Sequence, residues 1–266
     1  MDIFWLRVAL SFIVGGIWLM LVSVIAEKSH HKLAALLGGL PSTILISLFF
    51  IGLNQGTRYA VHATIVTPVV IIIDGYFVLL LIHFARKNYL TGLLVSGVFW
   101  FIATWLVVLS KLMSYPLSLS IWLLGMAVLI YILRKDSKAK KIEKSAVQFS
   151  HTQLVVRSLF AGAVIGFAVL ISHYSGPIVG GIFTAFPAVY ISTFTILYFA
   201  RGLNFAKTFT KLLIASGCIN TVIYSIAVYY LYPKFGIYTG TLLAFIVSLA
   251  SSFFIVGYVL DYISAR

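Results

Sequence analysis

Residues 33–50 read LAALLGGLPSTILISLFF, and residues 176–194 read GPIVGGIFTAFPAVYISTF. Each is an apolar run carrying a glycine pair, an internal proline and hydroxyl residues beyond it. Residues 33–83 and 179–229 superpose without a gap at a constant offset of 146. In that register Pro41 falls on Pro187, Gly56 on Gly202 and Asp74 on Asn220. The flanks follow with small shifts: Arg7 precedes Gly16 by the interval at which Arg157 precedes Gly166, and Thr91-Gly92 resembles Thr239-Gly240. The matches occur in the same order in both stretches, which predicts duplication of a four-helix unit.

Composition says what kind of helices these are. Hydrophobic residues make up 62% of the 266-residue chain and charged residues 9%, with a mean hydropathy of +1.09. A soluble domain carries roughly a quarter charged residues, so this chain lacks the polar surface to stay in water. About 20 consecutive apolar residues cross a bilayer as a helix. A β-barrel would alternate apolar and polar positions, whereas these runs are apolar on every face. The expected fold is an all-α polytopic membrane protein in contact with lipid.

Nine spans are expected, at about 3–25, 33–53, 61–84, 89–110, 115–133, 153–173, 177–200, 208–231 and 236–261. The first reads as a span rather than a cleavable signal peptide. The strongly hydrophilic stretch is Arg134–Ser150, which contains RKDSKAKKIEK. Basic residues collect in cytoplasmic loops. Setting that loop inside also gathers Lys28, Lys32, Arg86, Lys87, Arg157, Arg201, Lys207, Lys211 and Arg266 on the cytoplasmic side. Arg7, Arg58, Lys111 and Lys234 stay outside, giving an N-out, C-in topology. The net charge of +13 is then a property of loops, and nucleic acid is not an expected partner. The one cysteine, Cys218, lies in an apolar run and supports no disulfide framework.

The chain divides into a first four-helix unit (1–112), a linker helix with the basic loop (113–150) and a second unit (151–266). Four helices plus one linker make an odd number of crossings, so the second unit is inverted relative to the first. Many transporters share this plan, with the site near the midplane where inverted repeats meet.

The stretch 33–50, with Gly56 and the apolar helix beyond it, resembles the GlpM-like family of small four-helix membrane proteins; 176–194 resembles it less closely. The resemblance covers both halves and leaves out the linker helix and basic loop. It implies a tandem duplication in a prokaryotic plasma (inner) membrane, with ties to envelope or polysaccharide processes, and carries over no catalytic residues. Fusion through an odd helix would fix an antiparallel pair that a small member has to assemble as a dimer. Homo-oligomerisation of this longer chain is left open.

Asp74 is the most informative residue. The other acidic residues (Asp2, Glu27, Asp136, Glu143 and Asp261) lie at ends or in loops, whereas Asp74 sits within PVVIIIDGYFVLLLIHF. A carboxylate there costs about 2.5–3.5 kcal/mol and faces a partner or a water-filled cavity. It is either a proton- or cation-coupling group or a structural carboxyl bonded to a neighbouring helix. Asn220, its counterpart, cannot titrate. Pro41 and Pro187 interrupt backbone hydrogen bonding among Ser42 and Thr43 on one side and Ser192 and Thr193 on the other. Broken helices of this kind build ion sites in transporters, though small residues also serve simple close packing.

No catalytic constellation, metal site or cofactor motif is expected. His30-His31 without a carboxylate or cysteine partner is weak material for a metal, and Walker A, HExxH, GxSxG and CxxC patterns are absent from the sequence. The reading is therefore not an enzyme but a secondary transporter or permease for a small solute or ion, proton-coupled through Asp74. Its substrate and ion residues would be Asp74, Asn220, Pro41, Ser42, Thr43, Pro187, Ser192 and Thr193. The alternatives are a non-transporting membrane scaffold or a lipid-handling protein serving envelope or polysaccharide assembly.

Overall fold

The computed structural model describes residues 3–29, 31–111, 114–135 and 149–264, and every element in them is helical. The helices are α1 (Ile3–Glu27), α2 (His31–Gly38), α3 (Ser42–Gln55), α4 (Thr57–Ala63), α5 (Thr67–Phe84), α6 (Tyr89–Leu109) and α7 (Tyr115–Lys135), followed by α8 (His151–Thr184), α9 (Ala188–Arg201), α10 (Leu203–Ser251) and α11 (Gly257–Ser264). A 3₁₀ turn, Thr64–Val66, joins α4 to α5, and a π turn, Ser252–Val256, joins α10 to α11. Most of the basic loop, 136–148, lies outside the described residues.

Among the described residues, seven rather than nine segments are long and apolar enough to cross a membrane. The difference lies in the last two, of 51 and 61 residues. At 1.5 Å per residue these would stretch about 75 and 90 Å, against a hydrocarbon core of about 30 Å. Each contains a glycine that breaks helical geometry: Gly176 at φ 90°, ψ 170° in α8, and Gly236 at φ 73°, ψ −175° in α10. These left-handed values suit glycine, which has no Cβ to clash. The expected ends at 173 and 231 fall within a few residues of these two points.

The correspondence at offset 146 extends to backbone geometry. Pro41 has φ −75°, ψ 50° and Pro187 has φ −73°, ψ 38°. Gly56 has φ 91°, ψ 162° and Gly202 has φ 80°, ψ 169°. Between each proline and its glycine runs a helix of 14 residues. The hydrogen bonds also match. Leu40 N–H donates to the Leu37 carbonyl at 3.1 Å, as Phe186 N–H does to Phe183 at 3.2 Å. Ser42 N–H donates to Leu40 at 2.7 Å, as Ala188 N–H does to Phe186 at 2.7 Å.

Burial grades from the centre outwards. The segment Thr57–Phe84 is 83% buried in its apolar window and Leu33–Gln55 is 78%, whereas α1 and α7 are 22%. Leu124 on α7 and Trp105 on α6 are among the outward-facing apolar side chains, a surface that hydrocarbon solvates without cost. The helix crossing of α1 and α8 is lined by glycine: a Cβ on Gly162 would come within 2.6 Å of the Phe12 carbonyl oxygen. Small residues at such a crossing let backbones approach closely.

Candidate functional site

Proline supplies no N–H, so the carbonyl one turn earlier loses its donor and the helix stops. At Pro41 that carbonyl is Leu37, which the Leu40 amide takes instead. Ser42 N–H then turns to Leu40, and the Gly38 carbonyl loses its helical donor. The same rearrangement at Pro187 releases the Thr184 carbonyl. Each half therefore contributes a helix interrupted next to small residues, with polar backbone groups free to face a partner.

The two interruptions meet. One cavity of about 30 Å³ is lined by Gly38, Gly39, Pro41 and Thr43 from the first break, and by Ala185, Phe186, Pro187 and Tyr190 from the second. Asp74 of α5 and Gly217 and Thr221 of α10 also line it. A void this size holds a water molecule or a small ion.

Asp74 is fully buried. Its Oδ1 accepts a hydrogen bond from Trp100 Nε1 at 2.7 Å. Its Oδ2 is buried and has no hydrogen-bond partner among the described residues. Trp100, itself fully buried, lies against the Phe186 ring at 5.1 Å between centroids. Among the described residues no Lys, Arg or His lines the cavity. A carboxyl buried there without a basic group in the lining is stable as the neutral acid or beside a bound cation.

Of the eight residues singled out from sequence, Asp74, Pro41, Thr43 and Pro187 line this cavity. Asn220 does not. Its Nδ2 donates to the Gly39 carbonyl and to Ser216 Oγ, both at 3.4 Å, and its Oδ1 accepts from Ser251 Oγ at 3.1 Å. It holds the first break in place. Ser42 is buried beside the break without lining the cavity. Ser192 Oγ donates to the Val189 carbonyl at 3.2 Å, and Thr193 accepts from Arg157 Nη1 at 2.5 Å in a separate pocket.

Trp100, Tyr190 and Gly217 complete the site, and the sequence reading passed over all three. Trp100 lies 26 residues from the carboxylate it contacts and carries no local signal. Gly217 lets α10 approach Tyr190 so closely that a Cβ would stand 3.0 Å from the Tyr190 Cζ and overlap its hydroxyl. Among the described residues no group of three or more His, Cys, Asp or Glu could hold a metal ion. His30 and the side chain of His31 lie outside what is described.

No family model, no curated protein and no solved structure matches this chain.

Proposed function

We propose that this protein is a secondary transporter or permease for a small solute or ion, coupled to a proton or cation at Asp74. The observation that carries the reading is the convergence of both proline breaks on one cavity holding a carboxylate with an unpartnered oxygen. Inverted-repeat transporters place their sites at such discontinuous helices near the midplane. Counting Gly176 and Gly236 as turns between crossings gives nine crossings, N-out and C-in, with the second four-helix unit inverted. Matched dihedrals at residues 146 apart support that duplication. Two similar halves of opposite orientation can exchange conformations and so open one site to either side. The breaks would be the flexible elements, Asp74 the coupling group, and a prokaryotic inner membrane the setting that the GlpM-like resemblance implies.

Thermal unfolding of detergent-purified protein tests this reading. Sodium, lithium and potassium salts and a panel of small metabolites would be titrated at several pH values, with wild type and Asp74→Asn in parallel. A ligand at a hundred times its dissociation constant adds about 2.7 kcal/mol of stability. A pH-dependent stabilisation lost in Asp74→Asn is the expected result. Identical, ligand-indifferent curves for both proteins would make Asp74 structural and favour the scaffold.

A further inference from the structure

A second buried charge stands apart from the Asp74 cavity. Arg157, in the second turn of α8, is only 5% exposed. Guanidinium is permanently cationic, with five N–H donors in a fixed fork. Among the described residues its partners are neutral. Nη1 donates to the Thr193 hydroxyl, and the guanidinium carbon lies 5.3 Å from the centre of the Phe149 ring. Nε is buried without a partner among the described residues. Glu27, a carboxylate in the same region, accepts from the Phe149 amide at 3.2 Å.

Arg7, its counterpart in the first half, is satisfied differently. It donates to the Leu53 carbonyl at 2.5 Å and reaches Asn54 Oδ1 at 3.5 Å. Arg157 instead lines a pocket of about 20 Å³ together with Ser23 of α1 and Thr193 of α9. Thr193 already donates its own proton to the Val189 carbonyl at 2.6 Å. Ser23, 4% exposed, lines the same pocket and carries a hydroxyl with a proton to donate. An uncompensated buried cation is costly, and the usual remedy is an opposite charge with good hydrogen-bond geometry.

We infer that Arg157 and Ser23 form a binding site for a small anion, supplied either as a free inorganic ion or as the phosphate of an anionic lipid. The site stands whether or not Asp74 couples transport. Gly38 borders both this pocket and the Asp74 cavity, so an anion here would lie beside the first helix break.

Thermal unfolding in neutral detergent, with sodium gluconate holding ionic strength constant, would be titrated with chloride, nitrate and phosphate. A parallel arm compares nanodiscs of phosphatidylglycerol with nanodiscs of phosphatidylcholine. The expected result is a saturable rise in Tm for wild type that Arg157→Gln abolishes. Ser23→Ala should move its midpoint roughly tenfold, the loss of one hydrogen bond to a charged group. Response to free anions identifies an ionic ligand; response to phosphatidylglycerol alone identifies a lipid phosphate. If Arg157→Gln does not fold, Arg157→Lys, which keeps the charge and loses the fork, takes its place. Absence of any anion or lipid response in wild type, or equal responses in wild type, Ser23→Ala and Arg157→Lys, would overturn the inference.

Discussion

The side-chain amide of Asn220 donates to the Gly39 carbonyl at 3.4 Å, so a residue of one half bonds the backbone at the helix break of the other. Asp74 occupies the matching position in the first half and lines a cavity with the second break. Asn220 bonds across to the other half, whereas Asp74 bonds Trp100 of its own half, lines the cavity and can carry charge. From that difference comes the division of labour proposed here, with Asn220 fixing geometry and Asp74 exchanging an ion.

Asn220→Ala should destabilise the protein by about 1–3 kcal/mol, because the buried Gly39 carbonyl loses its side-chain donor, while Ser251 Oγ keeps its bond to the Ser248 carbonyl. Thermal unfolding of the purified variant checks this. A Tm equal to that of wild type would mean that the bonds from Asn220 contribute nothing net.

Glycine substitutions separate packing from backbone freedom. A Cβ on Gly39 would sit 2.8 Å from the Gly217 amide nitrogen, and overpacking of this sort costs about 1–3 kcal/mol. Gly97→Ala is the control, since nothing lies within 4 Å of its added Cβ. Alanine is favoured over glycine in a helix by roughly 1 kcal/mol, so that variant should be neutral or slightly more stable. Parallel melting curves give both answers.

Trp100→Phe keeps an aromatic ring beside Phe186 and removes the indole donor to Asp74. Loss of a bond to a buried carboxyl costs about 1–3 kcal/mol. Asp74→Asn should be milder in stability, because its amide oxygen can still accept from Trp100. Comparing unfolding of the two variants with their ligand responses checks the assignment: Trp100→Phe weakens the response, and Asp74→Asn abolishes it.

Pro41→Ala and Pro187→Ala restore an amide that can bond the carbonyl one turn earlier. Each should stiffen its break and slow transport about tenfold, equivalent to about 1.4 kcal/mol on the barrier. The two effects should be similar in size, since the two prolines share their backbone conformation. Flux measured in reconstituted vesicles decides. An effect at only one of them would mean that a single break moves.

Much of the architecture was readable from residue order, because its signals are local. Proline breaks a helix wherever it stands, a glycine before a new helix marks a turn, and an apolar run of crossing length is visible by counting. The pairing of Pro41 with Pro187 survives in dihedral angles for this reason. The number of continuous helices was less readable. Gly176 and Gly236 break helical geometry inside two long apolar segments, where hydropathy suggested separate spans. Site partners were least readable of all. Tyr190 and Gly217 reach the cavity, and Trp100 reaches Asp74, through helix packing, and no spacing along the chain announces it. Arg157 counted towards loop charge in the sequence reading, yet α8 carries it into a buried pocket.

The most direct test of coupling at Asp74 is proton movement in proteoliposomes containing an entrapped pH-sensitive dye. Inward gradients of sodium, potassium, lithium and a panel of small organic solutes would be imposed in turn, with wild type and Asp74→Asn reconstituted at equal density. The account predicts that at least one gradient drives a change in internal pH through wild type, and that Asp74→Asn leaves the dye signal at the level of empty vesicles. A gradient-driven signal of equal size in both proteins would contradict it, as would a silent wild type across the whole panel.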